Sequence, residues 1–101
     1  MVICNTTISI DKAIIGEWTD WMNKTYIPLL MDTGKFIDVR LFKVINNQDQ
    51  GGISFALMMM CRDKQTYLDF EARHARQLDQ LHNVKYGDRF VSFRTMLEEA
   101  K

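Results

Sequence analysis

The sequence predicts an α+β fold in which a four-stranded antiparallel sheet carries two helices on one face. Three observations predict it. Residues 51–61 read GGISFALMMMC, a strand pattern that is apolar on both faces and therefore needs cover on both sides. Segments of two-residue alternation and of helical period follow one another in the order βαββαβ. A polar, glycine-rich connection at residues 46–52 joins the two middle strands as a hairpin.

The composition limits the class of protein. The chain has 101 residues, of which 47% are hydrophobic, so we expect one domain over residues 1–101 with a real core. Thirteen basic side chains balance thirteen acidic ones, and the net charge gives no sign of a protein that binds a phosphate backbone. No apolar run is long enough to span a bilayer and none follows a basic amino terminus. We therefore expect a cytoplasmic protein with no membrane and no nucleic-acid partner.

The first half of the chain predicts a strand, a helix and a second strand. Residues 2–10 alternate between an apolar and a mostly polar face. Asp11 then occupies a helix N-cap position, and the apolar side chains after it recur at intervals of three or four. Pro28 lacks an amide hydrogen, which predicts a kink or break before a short last turn that ends at Gly34. Residues 35–45 alternate again and form the second strand.

The second half repeats this arrangement after the strand at 51–61. Asp63 is a second N-cap, and a long helix runs from it to Gly87. Its predicted inner stripe consists of five side chains: Tyr67, Phe70, His74, Leu78 and Leu81. Residues 89–97 form the last strand, and residues 98–101 a solvated tail.

The element order is that of the ferredoxin-like split βαβ fold, in which the first and third strands are central neighbours. The start of the first strand then lies near the end of the third, which brings Cys4 and Cys61 into one region. These cysteines have no CxxC spacing, so we expect buried, reduced thiols rather than a zinc site or a disulfide.

Side-chain alternation divides the sheet into two faces. We expect the helices to cover the row that contains Ile8, Val39, Leu57 and Phe93. The opposite, open face is then predicted to carry Ile3, Asn5, Thr7, Phe36, Asp38, Arg40, Phe42, Met58, Met60, Phe90, Ser92, Arg94 and Met96. A monomer rarely leaves so many apolar side chains in water, so we expect a homodimer formed by this face. Its candidate contacts are Phe36, Phe42, Met58, Met60, Phe90 and Met96.

Four motifs carry a resemblance that covers nearly the whole chain. They are W-x-x-W-M at residues 18–22, I-P at 27–28, T-G at 33–34 and YGDRFVSFRTMLEE at 86–99. The chain resembles the dimeric α+β barrel superfamily, and more closely a family of short bacterial proteins of unknown function. The resemblance implies two sheets packed face to face, with a small-ligand cavity beside each sheet. Members of the superfamily include cofactor-independent monooxygenases, isomerases, haem-degrading proteins and binding or regulatory modules, so the fold does not choose a function.

Charged and polar strand residues are the candidate ligand site. Arg40 and Arg94 are both predicted on the open face, together with Asp38, Asn5 and Ser92. A strand arginine beside a cavity can bind a carboxylate with its planar guanidinium fork, which suggests a small carboxylate-containing ligand. The alternative is that these arginines form ion pairs, with Asp38 or with a carboxylate of the second chain.

Other patterns favour structural roles. His74 and His82 lie eight positions apart on the second helix, roughly 80° around its axis, which does not suit a metal pair. We therefore predict no metal and no cofactor, with His74 partly buried and His82 at the surface. Tryptophan and tyrosine side chains on the helices fit core packing better than a pocket. GDRFVSF, residues 87–93, resembles an RNA-recognition motif but departs from it at Asp88 and Arg89 and falls on the wrong strand.

Three functions remain open from the sequence. The first is a homodimeric small-molecule-binding or regulatory module. The second is a cofactor-independent monooxygenase or isomerase of the same fold, which would need a general base with a tuned pKa near its substrate. The third is a structural dimerisation or protein-interaction domain.

Overall fold

The computed structural model describes residues 1–46 and 52–100. Four strands form one antiparallel sheet: β1 (Val2–Asp11), β2 (Asp38–Lys43), β3 (Gly52–Cys61) and β4 (Phe90–Glu98). Their spatial order is β2-β3-β1-β4, so β1 and β3 are the central pair and the predicted ferredoxin-like fold is confirmed. The hairpin connection predicted at 46–52 falls mostly on 47–51, which lie outside the described residues.

Each helix contains a π-helical turn in its middle. The first helix follows a 3₁₀ turn, Lys12–Ile14, and consists of Ile15–Trp21, the π-helical Met22–Tyr26, and Ile27–Asp32. The second helix consists of Lys64–Phe70, the π-helical Glu71–Ala75, and Arg76–Tyr86. None of the helices in the described residues is long and apolar enough to cross a membrane.

The predicted helix signals act where they were expected, with one difference. The Asp11 carboxylate accepts a hydrogen bond from the amide of Ala13 at 2.9 Å, and the Asp63 carboxylate accepts one from Thr66 at 2.8 Å. Gly34 ends the first helix with φ of 73°. Pro28 does not break the helix: it follows the π-helical turn, where the backbone hydrogen-bond pattern is already shifted, and lies in the first turn of the segment that continues to Asp32.

The core lies between the sheet and the two helices. On β1 and β3 alternate side chains are buried beneath the helices. The largest fully buried side chains are Trp18, Phe70, Ile10, Met22, Leu30, Met59, Cys4 and Cys61. Val2 pairs with Cys61, so the two cysteines lie in the same region of adjacent strands, as predicted, and both are free thiols.

The strand register corrects the predicted face of β4. Phe90, Ser92, Arg94 and Met96 pair with Ile10, Ile8, Thr6 and Cys4, so all four lie on the helix side of the sheet rather than on the open face. Phe93 pairs with Thr7 and lies on the open face, not under the helices. The reason is that both rows of β4 carry large apolar side chains, so alternation alone cannot tell the two faces apart.

Phe36 is a second correction. The second strand begins at Asp38 instead of residue 35, so Phe36 precedes it and is not placed by strand alternation. Its ring packs into the core, with its centroid 4.7 Å from that of Phe70, and only 6% of the residue is exposed. The other predicted open-face residues are on that face: Ile3, Asn5, Thr7, Asp38, Arg40, Phe42, Met58 and Met60.

Candidate functional site

A cavity of about 410 Å³ lies between the helices and the sheet, where the helices meet β4. Its wall is mainly apolar and includes Ile8, Met22, Leu30, Leu57, Met59 and Phe70. Polar or charged side chains also line it: Thr6, Tyr26, Asp79, His82, Asn83, Ser92 and Arg94. An apolar cavity with a few polar groups is the usual form of a small-molecule site.

Thr6 is the unusual side chain of this cavity. It is 8% exposed, and its hydroxyl oxygen has no hydrogen-bond partner within residues 1–46 and 52–100. Leaving a buried hydroxyl without a partner costs about 1–3 kcal/mol, so such groups are uncommon unless something else satisfies them. Thr6 pairs with Arg94 across β1 and β4, which places the two side chains beside each other on the same face of the sheet.

Arg94 forms an ion pair with Asp79 of the second helix, through one terminal nitrogen of its guanidinium. The two side chains are 33% and 41% exposed, so the pair lies at the solvent end of the cavity. Burial alone lowers the pKa of Arg94, but the charge and hydrogen bond of Asp79, together with Cys4 and Tyr67, outweigh burial and raise that pKa overall. Arg94 is thus a permanent cation whose remaining N–H groups are available.

His82 is buried, which corrects the prediction that it lies at the surface. The indole nitrogen of Trp18 donates a hydrogen bond to its Nε2 at 2.9 Å. Burial lowers the pKa of His82 to about 4, so the ring is neutral at pH 7. The π-helical turn at Glu71–Ala75 explains the error: a longer turn rotates the following residues relative to an α-helical stripe. The buried positions after it are Ala75, His82 and Tyr86.

Tyr26 and Tyr67 are fixed by hydrogen bonds at either end of the core. Tyr26 donates its hydroxyl to the carbonyl of Leu78 at 3.1 Å, which joins the two helices, and its side chain lines the cavity. Tyr67 donates to Glu71 at 3.2 Å and accepts from the Cys4 thiol at 3.7 Å. Burial raises the pKa of Cys4, as it does those of the two tyrosines, so these groups stay protonated at neutral pH.

The predicted ligand candidates separate into two groups on opposite faces. Ser92 and Arg94 line the cavity on the helix side. Asp38, Arg40 and Asn5 lie on the open face, where Arg40 Nε and Asp38 Oδ2 are 2.6 Å apart within one chain. Thr6, Asp79 and His82 were not predicted as cavity residues from the sequence. The only signal for any of them was Thr6 itself, a polar residue within the apolar row of β1.

No group of three or more histidine, cysteine or acidic side chains within residues 1–46 and 52–100 is arranged to hold a metal ion. The arrangement is therefore described best as an apolar cavity with a hydroxyl, a neutral imidazole and an arginine–aspartate pair. Such groups can orient a small polar or anionic molecule through hydrogen bonds.

The fold is similar to that of several solved structures. HapK from Hahella chejuensis superimposes with a TM-score of 0.72 at 10% identity, over 99% of this chain and 93% of that one. An ethyl tert-butyl ether D (EthD) family protein from Bacillus halodurans gives 0.69 at 10% identity, over 99% and 100%. A dimeric ferredoxin-like protein from an uncultured marine organism gives 0.57 at 10% identity, over 99% and 97%. At these identities the likeness concerns the fold alone.

The sequence itself is matched by a family model. A comparison with curated proteins finds no match for this chain. The model of the Domain of unknown function (DUF4286) matches residues 1–100. The ferredoxin-like chain described here therefore belongs to the DUF4286 family, whose function is not established.

Proposed function

We propose that the protein is a homodimeric binding module for a small carboxylate with an apolar body, which it holds in the cavity between the helices and the sheet. The observation that carries this proposal is the buried, unpartnered hydroxyl of Thr6 beside Arg94. The sequence suggested a small carboxylate on Arg94 or Arg40 at the open face, with ion pairs as the alternative; the proposal keeps Arg94 and transfers the site to the other side of the sheet.

The two side chains suit one carboxylate. Directly paired residues of an antiparallel sheet have Cβ atoms about 5 Å apart on the same face. Arg94 uses one terminal nitrogen for Asp79, and its guanidinium has further donors for a carboxylate. The Thr6 hydroxyl is just beneath the cavity surface, and rotation about χ1 brings it to the same ligand. A bound carboxylate would then accept hydrogen bonds from both groups.

The lack of a suitable base supports binding rather than catalysis. His82 is the only histidine that lines the cavity, its Nε2 lone pair is engaged by Trp18, and its low pKa makes it a weak base. Asp79 is the only carboxylate there among the described residues, and it is paired with Arg94. Proton abstraction needs a free base within reach of the substrate, and both of these side chains are already engaged, His82 by Trp18 and Asp79 by Arg94.

The open face supports the homodimer. Phe42, Val91 and Phe93 expose 47%, 72% and 63% of their surface there. Burying one such side chain fully contributes roughly 1.5–3 kcal/mol, and a self-complementary two-fold contact buries each of them twice. The dimeric ferredoxin-like neighbour is consistent with this assembly. A cytoplasmic location completes the proposal, supported by the two free, buried thiols.

The proposal is tested with 4-isopropylbenzoate as the probe and isothermal titration calorimetry as the measurement. We expect the wild-type protein to bind it and both Arg94→Met and Thr6→Val to weaken binding at least tenfold. Arg40→Met is the control, because Arg40 is also a strand arginine paired with an aspartate but lies on the opposite face. Unchanged affinity in Arg94→Met, or a loss in Arg40→Met alone, would overturn the proposed site.

A further inference from the structure

The polar groups at the inner end of the cavity point to a second requirement of its ligand. We propose that the ligand carries, besides its carboxylate, an oxygen that accepts a hydrogen bond from His82 Nδ1, and that Trp18 sets this preference by fixing the histidine tautomer. The inference rests on the proposed function and deepens it, because it names the ligand class: an oxo acid, or another acid with an acceptor oxygen on its apolar body.

The first step is the state of the imidazole. An indole N–H can only donate, so the 2.9 Å contact from Trp18 Nε1 requires a lone pair on His82 Nε2. The neutral ring must then carry its proton on Nδ1. Trp18 is completely buried, so water does not compete for this hydrogen bond. The ring therefore offers one donor and no free acceptor.

The second step is where that donor is available. His82 is 7% exposed and lines the cavity. The buried side-chain atoms without partners in the described residues are Asn5 Oδ1 and Thr6 Oγ1, so Nδ1 is not sealed inside the protein. The only hydrogen bond of the His82 side chain in this part of the chain is the one from Trp18. The free Nδ1–H belongs to a ring that lines the cavity, and it is the donor that the proposal assigns to the ligand.

The third step is rigidity. Aromatic rings surround the imidazole: Phe90 at 4.1 Å, Tyr26 at 5.6 Å, Tyr86 at 5.8 Å and Trp21 at 6.0 Å between centroids. These contacts and the Trp18 hydrogen bond hold the ring in one orientation, so it cannot turn its acceptor nitrogen to the ligand. A ligand with an ammonium or another donor at this point would meet the Nδ1–H and leave both donors unpaired, which selects against it.

Two pairs of nearly isosteric acids test the inference by calorimetry: 3- and 4-acetylbenzoate against 3- and 4-isopropylbenzoate. The acetyl group supplies an acceptor oxygen that the isopropyl group lacks. Of the two acetyl acids, we expect the tighter-binding isomer to bind about tenfold more tightly than the corresponding isopropyl acid. The reason is that only the acetyl oxygen gives the buried Nδ1–H a hydrogen-bond acceptor. In His82→Met, whose thioether is a weak acceptor with no hydrogen to donate, the acetyl acid should lose its advantage and the two members of each pair should bind equally.

The outcomes separate the two proposals. If none of the four acids binds, the proposed function fails and this inference with it. If both members of each pair bind wild-type protein equally, only this inference fails.

A ligand-free measurement gives a second, independent test. The ¹⁵N chemical shifts of His82 in the wild-type protein should show a protonated Nδ1 and an unprotonated Nε2, and Trp18→Phe should convert this into a mixture of tautomers. A protonated Nε2 in the wild type would overturn the inference even if the acetyl acids bind more tightly.

Discussion

Thr6 is polar on a strand face that is otherwise apolar, and its hydroxyl has no partner. Such a group lowers the stability of the ligand-free protein, because folding removes its hydrogen bonds to water and returns none. Because the Thr6 hydroxyl lowers stability, a role in ligand binding accounts for it better than a role in core packing. Its environment, between the cavity wall and Arg94, is the residue-scale basis of the proposed site.

Thr6→Val should therefore raise the free energy of unfolding of the ligand-free protein, by about 1 kcal/mol, since valine keeps the shape of threonine without its hydroxyl. Urea denaturation measures the change. Thr7→Val is the control, because Thr7 lies on the open face of the same strand and should change stability by less. A clear destabilisation by Thr6→Val would show that the hydroxyl already has a partner in the ligand-free protein.

His82 should make stability depend on pH. Its pKa is about 4 when folded, mainly because of burial, which Asp79 only partly offsets, and about 6.5 when unfolded. Between these values the unfolded chain binds the extra proton, so stability is complete above pH 6.5 and falls as the pH drops towards 4. The loss should reach roughly 3 kcal/mol. His82→Gln should remove this slope between pH 6.5 and 4; a slope that persists unchanged would assign it to other groups.

The π-helical turns explain which parts of each helix could be predicted. The N-caps Asp11 and Asp63 act locally, so the sequence is enough to place the start of each helix. Tyr67, Phe70 and Leu78 of the predicted inner stripe do pack in or against the core. After the π-helical Glu71–Ala75, where the backbone leaves the 3.6-residue period, Leu81 is exposed instead of buried. His82 thereby moved from a predicted surface position into the core. No residue type in that segment indicates that its turn contains an extra residue.

Two glycines of the first helix should respond in opposite ways to alanine. Gly34 ends the helix with φ of 73°, where a Cβ is strained, so Gly34→Ala should lower the free energy of unfolding by about 1 kcal/mol. Gly16 lies inside the helix with no atom near its missing Cβ, so Gly16→Ala should raise stability by roughly 0.5–1 kcal/mol. Thermal denaturation followed by circular dichroism compares the two. Equal effects of the same sign would contradict this account of the helix end.

At the scale of the whole molecule, the strand order was predictable but the two faces of β4 were not. The order follows from the element sequence, because few topologies connect βαββαβ without crossing. The face of β4 depends on a register shift of one residue, and each of its two rows contains large apolar side chains, Phe90 in one and Phe93 in the other. The prediction of the candidate site was affected in the same way. Arg94 was a candidate ligand residue and was predicted on the open face, whereas it lies on the helix side of the sheet.

The proposed homodimer can be tested by a charge on the open face. Phe93→Glu should give a monomer, because it places a carboxylate where the proposed contact buries an aromatic ring, while the fold remains. Light scattering at several concentrations measures the mass, and far-ultraviolet circular dichroism the fold. Val84→Glu, at a position 79% exposed on the second helix, should leave the mass unchanged. A Phe93→Glu protein that keeps the wild-type mass would place the interface elsewhere.

The central position of β1 also has a consequence for how the chain folds. β1 is synthesised before the other strands, yet its two neighbours are β3 and β4, and its pairing with β4 joins opposite ends of the described chain. Contacts this distant in sequence are slow to form, because a long loop must close before they contribute. A nascent chain that has produced only β1 and the first helix has no strand partner for Ile8 and its neighbours. Completion of the sheet, and with it the assembly of Thr6 beside Arg94, must wait for the last strand to be synthesised.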